Sequence, residues 1–150
     1  CWFVFPLHGV GGRVKASRYG VVARRRGRVA MIDHRQRIAA MALGRDEDID
    51  IARAALWIAQ EEYPSIDVDD YLLRFDDLAA KAQRFIGTEG APAERIARLN
   101  RFVFEEEGFS GDRDDYYDPR NSYLNDVLDR RKGIPISLGV VYCELAQRLH

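Results

Sequence analysis

Cysteine, histidine and proline are scarce, at two, three and five residues in a chain of 150. Two cysteines make no disulfide framework. Cys1 is terminal and Cys143 lies in an apolar helical pattern, which predicts an inert core thiol and a reducing, cytoplasmic setting. The histidines, His8, His34 and His150, stand apart from the strongest patterns, so none is placed by sequence to act as the base of a nucleophilic pair. No apolar run approaches the roughly 20 residues that span a bilayer. A membrane partner is therefore not expected. Fixed-period repeats are also missing, which removes repeat scaffolds recognised by a sequence signature.

What is present is an ordinary globular composition with an uneven distribution of charge. At 47% hydrophobic and 31% charged residues, the chain has enough apolar surface for one compact domain with a core. The net charge is −1, yet residues 1–44 hold nine of the 23 Lys/Arg and only one of the 24 Asp/Glu. The seam falls between about Ala30 and Arg45. Residues 1–30 show no period of 3.6 or 2, do not start with methionine and lack the positive leader of a secretory signal. They are expected to be a basic, disordered extension, or upstream sequence ahead of a start at Met31. The stretch "ARRRGR" is a candidate nucleic-acid arm, since clustered arginines attract phosphate. Without a basic helix or interleaved aromatics, nucleic acid is not the expected partner.

Residues 31–150 read as a mainly α domain. "RDEDIDIARAALWIAQEEYP" sets Ala52, Leu56, Ala59 and Tyr63 on one stripe, widened by Ile51 and Ala55, with Asp46, Glu47 and Asp48 ahead of it and Pro64 as a stop. "VDDYLLRFDDLAAKAQRFIG" carries an unbroken stripe from Val68 through Tyr71, Leu72, Phe75, Leu78, Ala79, Ala82, Phe85 and Ile86, closed by Gly87. A third helix starts near Pro92, with Ile96, Leu99, Phe102 and Val103 facing inward and Gly108 as its cap. Trp57 is expected to pack rather than to stack on a ligand.

The segment "GFSGDRDDYYDPRNS" changes character. Asp112, Asp114, Asp115 and Asp118 suggest calcium, but tyrosines fill the middle and the turn glycine and closing glutamate of an EF-hand are missing. No metal and no cofactor are expected. The reading is a solvated acidic loop whose tyrosines pack on the helices. Asn121 or Ser122 then caps a helix from about Tyr123, with Leu124, Val127 and Leu128 inward and Arg130, Arg131 and Lys132 in its last turn. Gly133 ends it and Pro135 opens a final helix bearing Ile136, Leu138, Val140, Val141, Leu145 and Leu149, with Glu144 and Arg148 paired on its wet side.

The string "NSYLNDVLDRRKGIPISL", with "DDYYDP" before it and "GVVYCELAQRL" after it, resembles the transglutaminase-like core of the bacterial SirB family. "DIARAALWIAQEEYPSIDVDDYLLRFDDLA" resembles the helical region preceding that core, so the likeness runs from about Leu43 to Leu149. It implies the helical N-terminal portion of a papain-like α+β fold that stops before the strands. It also implies regulators of unresolved biochemistry. The wider transglutaminase-like fold places a catalytic Cys at a helix start after a "kG-x-C" segment. The resemblance puts Pro135 there, and proline has neither a nucleophilic atom nor an N–H.

No catalytic residue is therefore expected. Ser137, in the same first turn, lacks a positioned base and is read as a cap or packing residue. The expected function is a noncatalytic regulatory or protein-interaction module whose partner is another protein. Its candidate surface is Asp118, Arg120, Asn121 and Tyr123. The alternatives are a cysteine-type amidase or acyl transferase completed by sequence beyond residue 150, and nucleic-acid binding through the arginine-rich arm.

Overall fold

The structure is a computed structural model that describes residues 34–45 and 49–149. The expectations for residues 1–30, the start at Met31, and Asp46, Glu47, Asp48, His8 and His150 lie outside the described residues. Among the described residues six α-helices run in chain order: α1 His34–Ala42, α2 Ile51–Glu62, α3 Val68–Ile86, α4 Pro92–Arg101, α5 Leu124–Arg130 and α6 Pro135–Leu149. A π-helical turn, Phe102–Glu106, extends α4, and a 3-10 turn, Pro119–Asn121, precedes α5. The fold is mainly α. Two two-residue strands, β1 Ser110–Gly111 and β2 Lys132–Gly133, which helical periodicity did not suggest, pair in parallel with Ser110 opposite Lys132. No described helix is long and apolar enough to cross a membrane.

The helices form where stripe and cap agree. Asp50 accepts the Arg53 N–H at 2.8 Å to start α2, and Asp67 accepts those of Asp69 and Asp70 to start α3. Gly87 closes α3 at φ 73°, a left-handed conformation in which only glycine is unstrained. Ala52 and Leu56 of α2 meet Phe75, Leu78 and Ala82 of α3 and Val141 and Leu145 of α6 in one core. Such aliphatic burial stabilises by about 25 cal/mol per Å² removed from water. Ile51, Phe85 and Ile96, expected on the stripes, sit at or beyond their edges and are exposed. In α4 and the π-helical turn that follows it the buried face is supplied by Leu99, Phe102 and Val103. Trp57 is half-buried against the core, with the Arg37 guanidinium 5.7 Å from its ring centre.

The last helix corrects two expectations. Glu144 and Arg148 are not on a wet face: Glu144 is buried, it pairs with Arg148, and Arg148 bonds Asp76 of α3 at 2.9 Å and lies over Phe75. Cys143 is exposed rather than buried in the core. The physical reason is one of phase. With Val141 and Leu145 turned inward, the position two residues after Val141 points away.

Candidate functional site

Between Gly108 and Ser137 the inward stripe of α5, Leu124, Val127 and Leu128, joins the core, and the loop before it is held by polar groups. Gly108, at φ 73°, turns the chain after the π-helical segment, and the Phe109 N–H donates to Val103 O at 3.1 Å while its ring is buried. The Ser110 N–H donates to Arg131 O at 2.9 Å, beginning the β1–β2 pair. Arg131 closes α5 at φ 59° and ψ 20°, the one non-glycine residue with positive φ among those described. The expected stop at Gly133 is therefore two residues late, and Lys132 belongs to β2 rather than to the last turn. Arg131 keeps this unfavourable conformation through three contacts: Glu107 at 3.0 Å, Leu128 O at 3.0 Å and the Phe109 ring at 4.5 Å.

Gly133 has a different duty. A Cβ on it would stand 2.6 Å from Ser137 Oγ and 3.1 Å from Val127, so the close approach of β2 to α5 and α6 requires glycine. Ser137 Oγ donates to Asn121 O at 2.7 Å, with Ile134 O also in reach at 3.1 Å, and Ile134 N donates to the same Asn121 O. The hydroxyl proton is thus committed to a backbone carbonyl, in the packing role expected of it. Pro135 opens α6 as its first residue, on the surface.

Around this turn Asp114 and Asp115 are solvated as expected, but the other two loop acids and the tyrosines are not where expected. Asp112 and Asp118 are buried, while Tyr116 and Tyr117 are exposed. Buried carboxylates must be paired. Asp112 meets Arg130 at 3.1 Å and Lys132 at 3.3 Å, and Asp118 meets Arg120 at 2.7 Å and Arg130 at 3.3 Å. Burial pushes the Asp112 carboxyl up, but the Asp115 N–H and the Lys132 ammonium outweigh it and hold it below the ordinary carboxylate range. The Arg120 side chain, then the Arg120 N–H, lower that of Asp118. The Asp118 and Asp112 carboxylates in turn raise Arg120 and Lys132. Among the described residues no cluster of His, Cys, Asp or Glu is placed to hold a metal ion.

Of the four candidate surface residues, the structure separates two pairs. Asp118 and Asn121 are internal. Asn121 is 1% exposed, donates to Asp115 O at 2.8 Å and accepts from Arg130 at 3.3 Å. It does not cap α5; Tyr123 holds that position, without a side-chain bond. Arg120 and Tyr123 face outward from the internal pair, Arg120 exposed and Tyr123 half-buried. Tyr123 meets Tyr63 of the α2 end edge-to-face, ring centres 5.5 Å apart. The Asp126 carboxylate facing the Tyr63 hydroxyl, then burial, pushes its pKa up to about 12. Sequence reasoning missed Arg130, Lys132 and Asp112 as one cluster. They come together only through contacts 18 and 20 residues apart, and no local pattern signals such a pairing.

Residues 69–150 match the family described as the transglutaminase-like superfamily. A UPF0162 protein of Xylella fastidiosa strain Temecula1 is 42% identical over 108 residues, 69% of this chain and 37% of that protein. One of Vibrio cholerae is 34% identical over 107 residues, 69% of this chain and 40% of that protein. F-box only protein 21 of Homo sapiens is 41% identical over 51 residues, 34% of this chain and 8% of its own length. The chain thus spans two-fifths or less of these relatives. No solved structure matches it. The matched region holds α3 through α6, with the ion pairs around Asp112 and Asp118, the β1–β2 pair and Pro135 at the head of α6, and on it the chain belongs to the transglutaminase-like superfamily.

Proposed function

We propose that this chain is a noncatalytic, cytoplasmic module of the SirB type, regulatory in role, which binds another protein through the edge formed by Arg120 and Tyr123 over Asp118 and Asn121. The observation that carries the reading is Pro135. At the head of α6, where the superfamily resemblance places a thiol, this chain has a residue without a nucleophilic atom. The neighbouring hydroxyl, Ser137, is buried and bonded to a carbonyl. Asp118 and Asn121 serve the proposed surface from beneath, fixing the turn from which Arg120 and Tyr123 project. A rigid turn loses little conformational entropy on association.

The test is site-specific photo-crosslinking from position 123 in the full chain, with position 73 on exposed Leu73 as the control site. The expected outcome is one discrete adduct from position 123, weakened by Arg120→Glu and absent from position 73. Amide hydrolysis or acyl transfer that Ser137→Ala abolishes would overturn the noncatalytic reading. Equal labelling from both positions would overturn the surface.

A further inference from the structure

The clamp that buries Asp112 and Asp118 leaves the chain between them as an apex. Five residues lie there, Arg113 to Tyr117, all exposed. Tyr117 is 90% exposed and Tyr116 59%, and their rings meet edge-to-face with centres 5.4 Å apart. Both ends of the apex are fixed. Asp112 accepts the Asp115 N–H at 3.3 Å, the Asp118 N–H donates to Asp115 O at 3.3 Å, and Asn121 donates to that same carbonyl at 2.8 Å. Two large rings are thus presented to solvent on a backbone tied to α5 and β2 through Arg130 and Lys132.

We propose that Asp114, Asp115, Tyr116 and Tyr117 form a contact surface for an arginine-bearing segment of a partner protein. The inference extends the interaction reading above to the partner's chemistry and rests on it. Tyrosine gives much contact area for two side-chain torsions, so rings already held on a clamped loop bind at low entropic cost. A guanidinium stacks on an aromatic face and offers a planar fork to carboxylates, which an ammonium does less well. The apex supplies both parts: two rings, and two carboxylates against one guanidinium, Arg113. Lys132 lies 3.5 Å from Asp114 and leaves that side chain 93% exposed, and Asp115 is exposed as well. The same carboxylates repel phosphate, so a nucleic acid or an anionic bilayer is the wrong counterpart.

The probe is an acetylated, amidated Arg-Gly-Arg-Gly-Arg peptide, titrated into the 15N-labelled full chain and read by NMR. Peptides with citrulline or glutamate in place of arginine are the comparators. Saturable shifts should centre on residues 113–118 with the arginine peptide, and be at least about fivefold weaker with citrulline. Tyr116→Ser/Tyr117→Ser should lose binding at least about tenfold with the amide spectrum elsewhere unchanged, because neither ring is in the core. Asp114→Asn/Asp115→Asn should weaken binding less and flatten its salt dependence. Equal binding of the citrulline peptide, shifts centred elsewhere, or a double tyrosine variant that binds as well as the parent would overturn the proposal. Peptide binding at 113–118 with no adduct from position 123 would sink the Arg120–Tyr123 surface alone. An adduct from position 123 with no peptide effect would sink the arginine site alone.

Discussion

The α2–α3–α6 core and the segment from Gly108 to Ser137 are held together by different forces. The core removes apolar side chains from water: Leu56, Phe75, Val141 and Leu145 are fully covered. The second segment adds Phe109, Leu124, Val127 and Leu128 to that core, but its loop from Ser110 to Ser122 is held by carboxylates, guanidinia and carbonyls, with Asp112, Asp118 and Asn121 as its interior. Dispersion and solvent exclusion are short-ranged, non-directional and indifferent to pH. Charge-assisted hydrogen bonds are directional and depend on protonation. The two regions should therefore fail under different insults.

The largest difference should come from the core. Phe75 is fully buried beneath Arg148, and Phe75→Ala should cost about 3–5 kcal/mol, a large part of the stability of a domain this size. Urea unfolding followed by circular dichroism checks it. The loss should be nearly the same at pH 5 and pH 7, since no carboxylate is removed. A cost below about 1 kcal/mol would mean that the α3–α6 contact is not the centre of stability.

The clamp should break with acid. Asp112 and Asp118 have lowered pKa values in the folded state, so the unfolded chain binds more protons as pH falls. Their contribution is complete above the unfolded carboxylate value of about 3.9 and is lost as pH falls through the lower folded values. Below about pH 4, amide exchange at residues 112–121 should accelerate before that of Leu72 to Ala82. Asp112→Asn should produce much of this local opening at neutral pH, by leaving Arg130 and Lys132 without a shared carboxylate. Exchange that rises in both regions together would show that the two form one cooperative unit.

The same contrast explains what the sequence made legible. Stripes repeat every three or four residues, so α2, α3 and most of α4 can be found by counting along the chain, as can the start of α6 at Pro135. The clamp has no period. Asp112 meets Lys132 across 20 residues, and nothing near either residue distinguishes it from a solvated charge. That is why Asp112 and Asp118 read as wet like Asp114 and Asp115, which are exposed, and why Tyr116 and Tyr117 read as packed although they are exposed. Cys143 and Glu144 were misplaced by a subtler ambiguity. A helix with apolar residues at 136, 138, 140, 141, 145 and 149 does not declare its inward face until its neighbours are known. Arg131 shows a third limit, because a left-handed cap is expected at glycine, and Gly133 stood two residues away with a steric duty of its own.

The smallest effect is expected where the two regions meet, at Pro135. It is exposed in the first turn of α6, where the N–H it lacks would have no helical partner, so its removal exposes no cavity and breaks no bond. Pro135→Cys should change stability by no more than about 1 kcal/mol. Its thiol should still report the helix start. The N–H groups of Ile136 and Ser137 have no helical carbonyl before them, whereas that of Leu138 bonds Ile134 O at 3.0 Å. Those free dipoles favour thiolate and should bring the pKa below the ordinary value of about 8.5. Arg131 and Lys132 add little, being already spent on Glu107 and on Asp112 and Asp114. Cys143 is exposed and would react in the same assay, so alkylation rates against pH must be taken in a Cys1→Ser/Cys143→Ala background. A depressed pKa without amide hydrolysis is the expected result, since a helix start can stabilise a thiolate but supplies no base to carry a proton. An unshifted pKa would mean that α6 offers no free N–H groups to position 135, and Pro135 would then be no counterpart of a catalytic thiol.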